Sequence, residues 1–203
     1  MDARQYASAT QRNRQPILDI LLTVLPPQGN ILEIASGTGE HGVFFAEHLT
    51  PRRWIPSEPN PMLRASISAW QNKFPSENLH PPLDIDARQE KWAIENQEII
   101  INAIVNINMI HISPWNACLG LMAGASRILP SGGILYLYGP FKQNGKHTAP
   151  SNQAFDRSLK ASNPEWGVRD LEEVSTVAEN HSLKLTEIIP MPANNFSVVW
   201  CKQ

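Results

Sequence analysis

Ile31-Leu32-Glu33-Ile34-Ala35 runs directly into Ser36-Gly37-Thr38-Gly39-Glu40-His41-Gly42, and Val43-Phe44-Phe45-Ala46 follows as a helix-like segment. No other stretch constrains the fold as much. A short apolar run ahead of a turn makes a buried strand, and the glycines let the backbone come close to a ligand. The first amides of a helix that starts there lack internal partners, so they point at whatever sits over the turn. Strand, glycine turn and helix in that order are how open α/β folds hold a nucleotide-type cofactor.

The rest of the chain supplies more strands and helices. Residues 16–25 predict a helix, stopped by Pro26, Pro27 and Gly29. Residues 54–58 read as a second strand weakened by Pro56. Asn60-Pro61 reads as a capped helix start whose face is Leu63, Ile67 and Trp70. Residues 80–86 predict a weak third strand, and 99–105 a β-branched fourth strand of the kind buried on both faces. Ser113-Pro114 repeats the cap signal for a helix ending near Leu129, and 134–138 is the next strand. Asp170 with Glu173 resembles a capping box ahead of Leu171, Val174 and Ala178. Strands at 183–189 and 196–201 close the chain, and so short a connection makes them antiparallel. The pattern predicts one α/β domain over residues 1–203, with a mostly parallel sheet and a C-terminal antiparallel strand pair. Residues 1–15 are set apart as a candidate N-terminal lid. The stretch 139–167 is too long for a plain connector and reads as a functional loop.

Composition narrows the function classes. A chain of 203 residues suits one domain with its own core, and 42% hydrophobic against 18% charged residues argues against wholesale disorder. A formal charge of −2 gives no electrostatic reason to expect a nucleic-acid partner. Cys118 and Cys201, far apart in apolar segments, read as buried thiols of a reducing compartment. The chain opens without a signal-peptide pattern and never approaches the roughly 18 apolar residues of a membrane span, so a cytoplasmic protein is expected. No His, Cys and Asp cluster has metal-ligand spacing, so no metal is expected.

Two cofactors compete for the glycine turn. Gly37, Gly39 and Gly42 fit the G-x-G-x-x-G dinucleotide fingerprint. Glu33, the frame Glu-x-Ala-x-Gly-x-Gly, the closing antiparallel pair and the lack of room for a separate substrate domain favour S-adenosylmethionine (SAM). Glu58, about 20 residues past the glycines, suits ribose hydroxyls in either case.

The chain resembles class I SAM-dependent methyltransferases and, more closely, a methyltransferase-like family described only as a domain of unknown function. The resemblance spans nearly the whole chain. It rests on Arg12-Asn13 before Pro16-Ile17-Leu18, on the run from Leu32 to His41, and on Trp54, Pro56, Ser57 and Glu58. It continues through Asn108 to Trp115, Tyr138 to Phe141, Pro164 to Asp170 and Met191 to Asn195. It implies a Rossmann-like sheet of seven strands. It also implies that Glu33, Ser36, Gly37, Thr38 and Gly39 surround the methionine and ribose parts of SAM, with Glu58 on the ribose hydroxyls. Asp86 aligns with the acid that meets the adenine amino group, and Asn106 and Asn108 end the fourth strand beside the cofactor. Glu58 stands where many relatives have Asp, and Asn106 where many have a small or apolar residue. His41, just past the glycines, is read as lining the same site.

Ligands of open α/β sheets sit beyond the carboxyl ends of the strands. By that rule the segments 106–115, 139–151 and 190–195 leave one edge together and form the acceptor pocket. Trp115, Tyr138, Lys142, Asn194 and Asn195 are its candidate substrate contacts. His111 and His147 are the candidate general bases, needed only if the acceptor carries a proton. Each has a competing structural reading, His111 as a brace for the helix start that follows it. Arg12 and Asn13 are read as a lid, a grip on the SAM carboxylate, or an ordinary solvated face. The leading expectation is a methyltransferase acting on a small molecule. A SAM-binding protein that works through a partner is the alternative, and an NAD-dependent reductase the weaker one.

Overall fold

The computed structural model describes residues 2–203. Helix α1 (Ser8–Val24) is followed by β1 (Asn30–Ile34), α2 (Glu40–His48), β2 (Arg53–Ser57), α3 (Pro61–Lys73), β3 (Ile101–Ile107), α4 (Trp115–Ile128) and β4 (Ile134–Gly139). A small hairpin of β5 (Lys142–Gln143) and β6 (Lys146–His147) leads into α5 (Pro150–Ser162) and α6 (Leu171–Asn180). β7 (Leu183–Met191) and β8 (Asn195–Lys202) end the chain. The main sheet runs β2-β1-β3-β4-β8-β7, with the first four strands parallel and β8 antiparallel to both its neighbours.

Alternation along each strand divides the core into two layers. Leu32, Ile34, Ile104, Leu135 and Val198 face α4 and α6 through Leu121, Ala125 and Val174. Ile31, Ala103, Val105, Tyr136 and Val199 face α1 and α2 through Ile17, Leu21 and Phe45. Apolar side chains are needed on both faces, which is why these strands read as unbroken hydrophobic runs.

The sheet has six strands, not the seven expected. In place of the strand expected over residues 80–86, the chain makes two isolated bridges to β2, Leu79 with Trp54 and Leu83 with Ser57. Pro81 and Pro82 stand between those bridges and have no N–H to donate, so no ladder forms. The fourth predicted strand starts at Ile101, leaving Ile99 and Ile100 outside it.

The first helix begins at Ser8, eight residues before the expected start. Thr10, Asn13, Ile17, Leu18 and Leu21 form one buried stripe, and that packing outweighs the hydrogen bond lost at Pro16 inside the helix. The stretch 139–167 is likewise more regular than expected, since it contains the hairpin and the whole of α5. Asn60 caps α3 by accepting from the Met62 amide at 2.9 Å, as its sequence indicates. Asp170 caps α6 through the Glu172 amide at 3.2 Å rather than pairing with Glu173. Ser113 is not a cap; its hydroxyl donates back to the Met109 carbonyl at 2.7 Å.

Candidate functional site

The glycine turn sits at the carboxyl ends of β1 and β2, fastened by a small network. The Ser36 amide donates to the Ser57 carbonyl at 2.8 Å, the Ser57 amide to the Ser36 hydroxyl at 3.0 Å, and the Ser57 hydroxyl to the Glu33 carbonyl at 2.7 Å. Ala35, Gly37 and Gly39 all have positive φ, at 59°, 57° and 94°. A Cβ on Gly39 would lie 2.8 Å from the Ile67 Cα, so glycine is required there both sterically and conformationally. A Cβ on Gly37 would meet nothing within 4 Å, which leaves open space over the turn.

Glu58 closes this end. Its carboxylate accepts from the Gly37 amide at 3.0 Å and the Asn60 amide at 3.1 Å, and burial raises its pKa. Glu33 is only 1% exposed and accepts from the Trp54 indole at 3.0 Å; burial raises its pKa to about 7. Asp86 follows the Leu83 bridge and is tied to Arg88 at 2.6 Å, while Asp84 pairs with Arg64 at 3.0 Å. Asn106, at the end of β3, donates to the Ile34 carbonyl at 2.8 Å, but its own carbonyl oxygen is buried without a partner. Thr38 is taken up by Glu40 through its hydroxyl and by the Ser66 hydroxyl through its carbonyl.

The N-terminal segment, the candidate lid, is anchored to the same end. The Gln5 amide donates to the Ser66 hydroxyl at 2.8 Å, the Trp70 indole to the Gln5 carbonyl at 3.0 Å, and the Ala7 amide to Glu40. In α1, the Asn13 carbonyl oxygen pairs with His41 Nε2 at 2.9 Å. Burial and then the charge of Arg14 push the His41 pKa down to about 4, so this imidazole is neutral and donates through Nε2.

Next to this edge lies a cavity of about 720 Å³. Its walls come from α1 (Arg12, Asn13, Pro16), the β3 end (Asn108, Ile112), the β4 end (Tyr138, Pro140), α5 (Asn152, Phe155) and the turn Pro192–Asn195. All three loops expected to meet therefore do so. Asn13, shared between this cavity and His41, ties it to the glycine turn. Backbone strain gathers here as well. Asn108, Ala193 and Asn194 have φ of 64°, 58° and 59°, a region that non-glycine residues enter at a cost of order 1 kcal/mol and that clusters at functional sites. A second hollow, of about 480 Å³, is lined by Asn30, Arg53 and Ile100 at the amino ends of the strands, away from the glycines.

Of the five candidate substrate contacts, Tyr138, Asn194 and Asn195 line the 720 Å³ cavity. Trp115 and Lys142 do not. Trp115 packs against the α4–α6 core layer with Arg169 stacked 5.5 Å over its ring, and Lys142 sits in β5, bridged to Asp170.

Neither histidine reaches the cavity. His111 is 0% exposed, held by the Gly167 amide on its carbonyl at 2.9 Å and the Arg169 amide on Nδ1 at 3.3 Å, with the Phe141 ring edge-on at 4.9 Å. Burial and the charge of Arg169 push its pKa down to about 3. His111 thereby joins the β3 exit to residues 167–169, and its Nε2 is buried without a hydrogen-bond partner. His147 lies on the hairpin, 3.4 Å from Asp156, and faces a separate shallow hollow. Asn152 and Phe155 had no sequence signal strong enough to single them out. In hindsight, Ala149-Pro150 followed by Phe155 and Leu159 marks a helix start and its apolar spacing.

Among the described residues, no group of three or more His, Cys, Asp or Glu could hold a metal ion, and no helix is long and apolar enough to cross a membrane. The glycine turn, the sheet order and the antiparallel closing pair define a Rossmann-like class I methyltransferase fold. Solved SAM-dependent methyltransferases share it. An O-methyltransferase family protein from Burkholderia thailandensis superposes with a TM-score of 0.79 at 12% identity, covering 96% of this chain and 57% of that one. Human N-acetylserotonin methyltransferase, solved in complex with SAM, gives 0.78 at 11% identity, over 96% and 52% of the two chains. An O-methyltransferase family 2 protein from Planctomyces limnophilus, solved with apigenin, gives 0.74 at 20% identity, over 96% and 60%. The chain thus spans little more than half the length of these structures. It belongs to the family described as "Protein of unknown function (DUF938)", whose model matches residues 4–202.

Proposed function

We propose that this protein is a SAM-dependent methyltransferase whose acceptor is a small molecule. One observation carries the reading: the loops leaving β3, β4 and β7 beside the glycine turn enclose a single cavity of about 720 Å³, within the range of small-molecule sites. The fit of SAM itself rests on the open space over Gly37, the unpartnered Asn106 carbonyl oxygen and the half-satisfied Glu58 carboxylate. When bound, SAM supplies a methyl group on a positively charged sulfur, open to in-line attack.

Glu58, which uses one bond per oxygen on the protein, keeps acceptor capacity for the ribose hydroxyls. Ser36, Gly37, Thr38 and Gly39 form the turn beneath the cofactor, with Glu33 buried under its start. His41 and Asn13 join that turn to the acceptor side. Asp86, beyond the Leu83 bridge, would meet the adenine end, and Asn106 and Asn108 at the β3 exit would stand beside the cofactor. Tyr138, Asn194 and Asn195 orient the acceptor.

Calorimetry against SAM, S-adenosylhomocysteine and NAD tests the cofactor, and NAD binding without SAM binding overturns the reading. Incubation with methyl-labelled SAM and a fractionated metabolite extract tests the transfer. Label in a small-molecule fraction is the expected result. Tight SAM binding with no label transferred favours the partner-dependent alternative.

A further inference from the structure

Resting on that reading of the cavity, we propose that the acceptor carries a carboxylate or comparable oxyanion on an apolar body, and that Arg12 anchors its charge.

Among the described residues, Arg12 is the one charged side chain lining the cavity, and no Asp or Glu stands there to neutralise it. Arginines nearby are committed. Arg14 stacks on Phe44 at 4.7 Å, Arg64 holds Asp84, and the Arg169 guanidinium donates to the carbonyls of Ile110, Ser113 and Glu165. Arg12, exposed on α1, makes no side-chain hydrogen bond, ion pair or ring contact with any described residue. A guanidinium fork in that position matches a planar oxyanion in two parallel hydrogen bonds.

Among the other polar groups of the cavity, the side-chain amide nitrogens of Asn152, Asn194 and Asn195 are engaged in holding it together. Asn152 donates to the Asn194 carbonyl at 2.8 Å, Asn194 to the Ser151 hydroxyl at 3.1 Å and Asn195 to the Pro192 carbonyl at 3.0 Å, while Asn13 serves His41. Recognition of a charge therefore falls to Arg12. The facing surface is apolar: Ile112 and Phe155, 44% and 41% exposed, stand with Pro140 and Pro192 in the same lining. Exposed large apolar side chains grouped in a concavity suit a flat hydrocarbon body.

The lining also says how the acceptor arrives. It contains no Asp, Glu, His, Lys or Cys, and burial keeps the Tyr138 phenol protonated. A group that had to lose a proton there would find no side chain to take it. An acceptor whose reacting atom is already unprotonated, distinct from the oxyanion that Arg12 holds, needs no such side chain.

Benzoate and its uncharged isostere benzamide are the probes, titrated by NMR into the ligand-free protein and into protein saturated with S-adenosylhomocysteine. Benzoate should bind about tenfold more tightly than benzamide, as expected for a charge-assisted bidentate contact. Arg12→Gln should bring that ratio to about one and leave S-adenosylhomocysteine affinity within about twofold, and Arg12→Lys should fall between. A thermal melt of each variant checks folding. Equal binding of the two probes, or a benzoate preference that survives Arg12→Gln, overturns the proposal. So does a loss of S-adenosylhomocysteine affinity in Arg12→Gln with the benzoate preference intact, which assigns Arg12 to the cofactor. Failure of the wild type to bind S-adenosylhomocysteine at all overturns the proposed function instead, and the probe ratio on ligand-free protein is scored separately.

Discussion

The two halves of the carboxyl edge are built differently. The glycine half, over β1 and β2, takes most of its groups from residues 33–41 and 57–60, and backbone hydrogen bonds between two adjacent strands set its geometry. The cavity half draws on α1, the β3 and β4 exits, α5 and the β7–β8 turn, held together by side-chain amides and strained backbone. A site made from neighbouring strands is fixed by the sheet register. A site assembled from distant loops is fixed by packing, and it can vary without unsettling the fold.

Gly39→Val is the most damaging test of the glycine half. Its Cβ would stand 2.8 Å from Ile67 Cα at a φ of 94°, so S-adenosylhomocysteine affinity should fall at least about 100-fold and the melting temperature should drop. Retained affinity in calorimetry would mean that the turn is not a cofactor cradle.

Glu33→Gln comes next, read through pH. The folded carboxyl holds its proton up to about 7 and the unfolded one only to about 4.5, so between those values unfolding releases a proton and stability declines as pH rises. The full penalty, on the order of 3 kcal/mol, is present above about pH 7. Urea denaturation should show the wild type losing stability across this window, while Glu33→Gln stays nearly flat and still accepts from Trp54. Parallel curves for the two proteins would remove Glu33 as a buried, strained acid.

Asn152→Ala probes the other half. It removes the donor to the Asn194 carbonyl, so stability should fall by about 1–2 kcal/mol, benzoate binding should weaken and S-adenosylhomocysteine binding should hold. If cofactor affinity fell with it, the two halves would be one coupled site.

Gly42→Ala should do least. A Cβ there meets only ordinary contacts at 3.7 Å, and alanine inside α2 is worth about 0.5–1 kcal/mol over glycine, so the melting temperature should rise slightly. A dinucleotide-type third glycine would instead be intolerant of any side chain.

The same contrast explains what was legible. β1, its turn, the Asn60 cap and the closing antiparallel pair could be read because each signal lies within a few contiguous residues. The missing strand was misjudged because Pro81 and Pro82 act through absent donors, which matters only once a partner strand is in place. The early start of α1 was hidden because its buried stripe includes Thr10 and Asn13, polar residues that gain an interior only from the sheet beneath them. His111 carried two readings, base and brace, because a histidine after a buried strand is ambiguous until its neighbours are known. Arg169, Phe141 and Gly167 come from 30 residues or more along the chain.

By itself the sequence determined the strand-glycine-helix unit, Glu33 and Glu58 at its ends, and the direction of the final strand pair, because these depend on local backbone chemistry and short connections. Only the tertiary structure decided which side chains share the cavity. It buried His111, turned His147 and Trp115 elsewhere, and left Arg12 uncompensated in the same cavity lining as Phe155. Contacts between residues tens or more than a hundred positions apart are set by how helices pack on the sheet, and no local pattern encodes them.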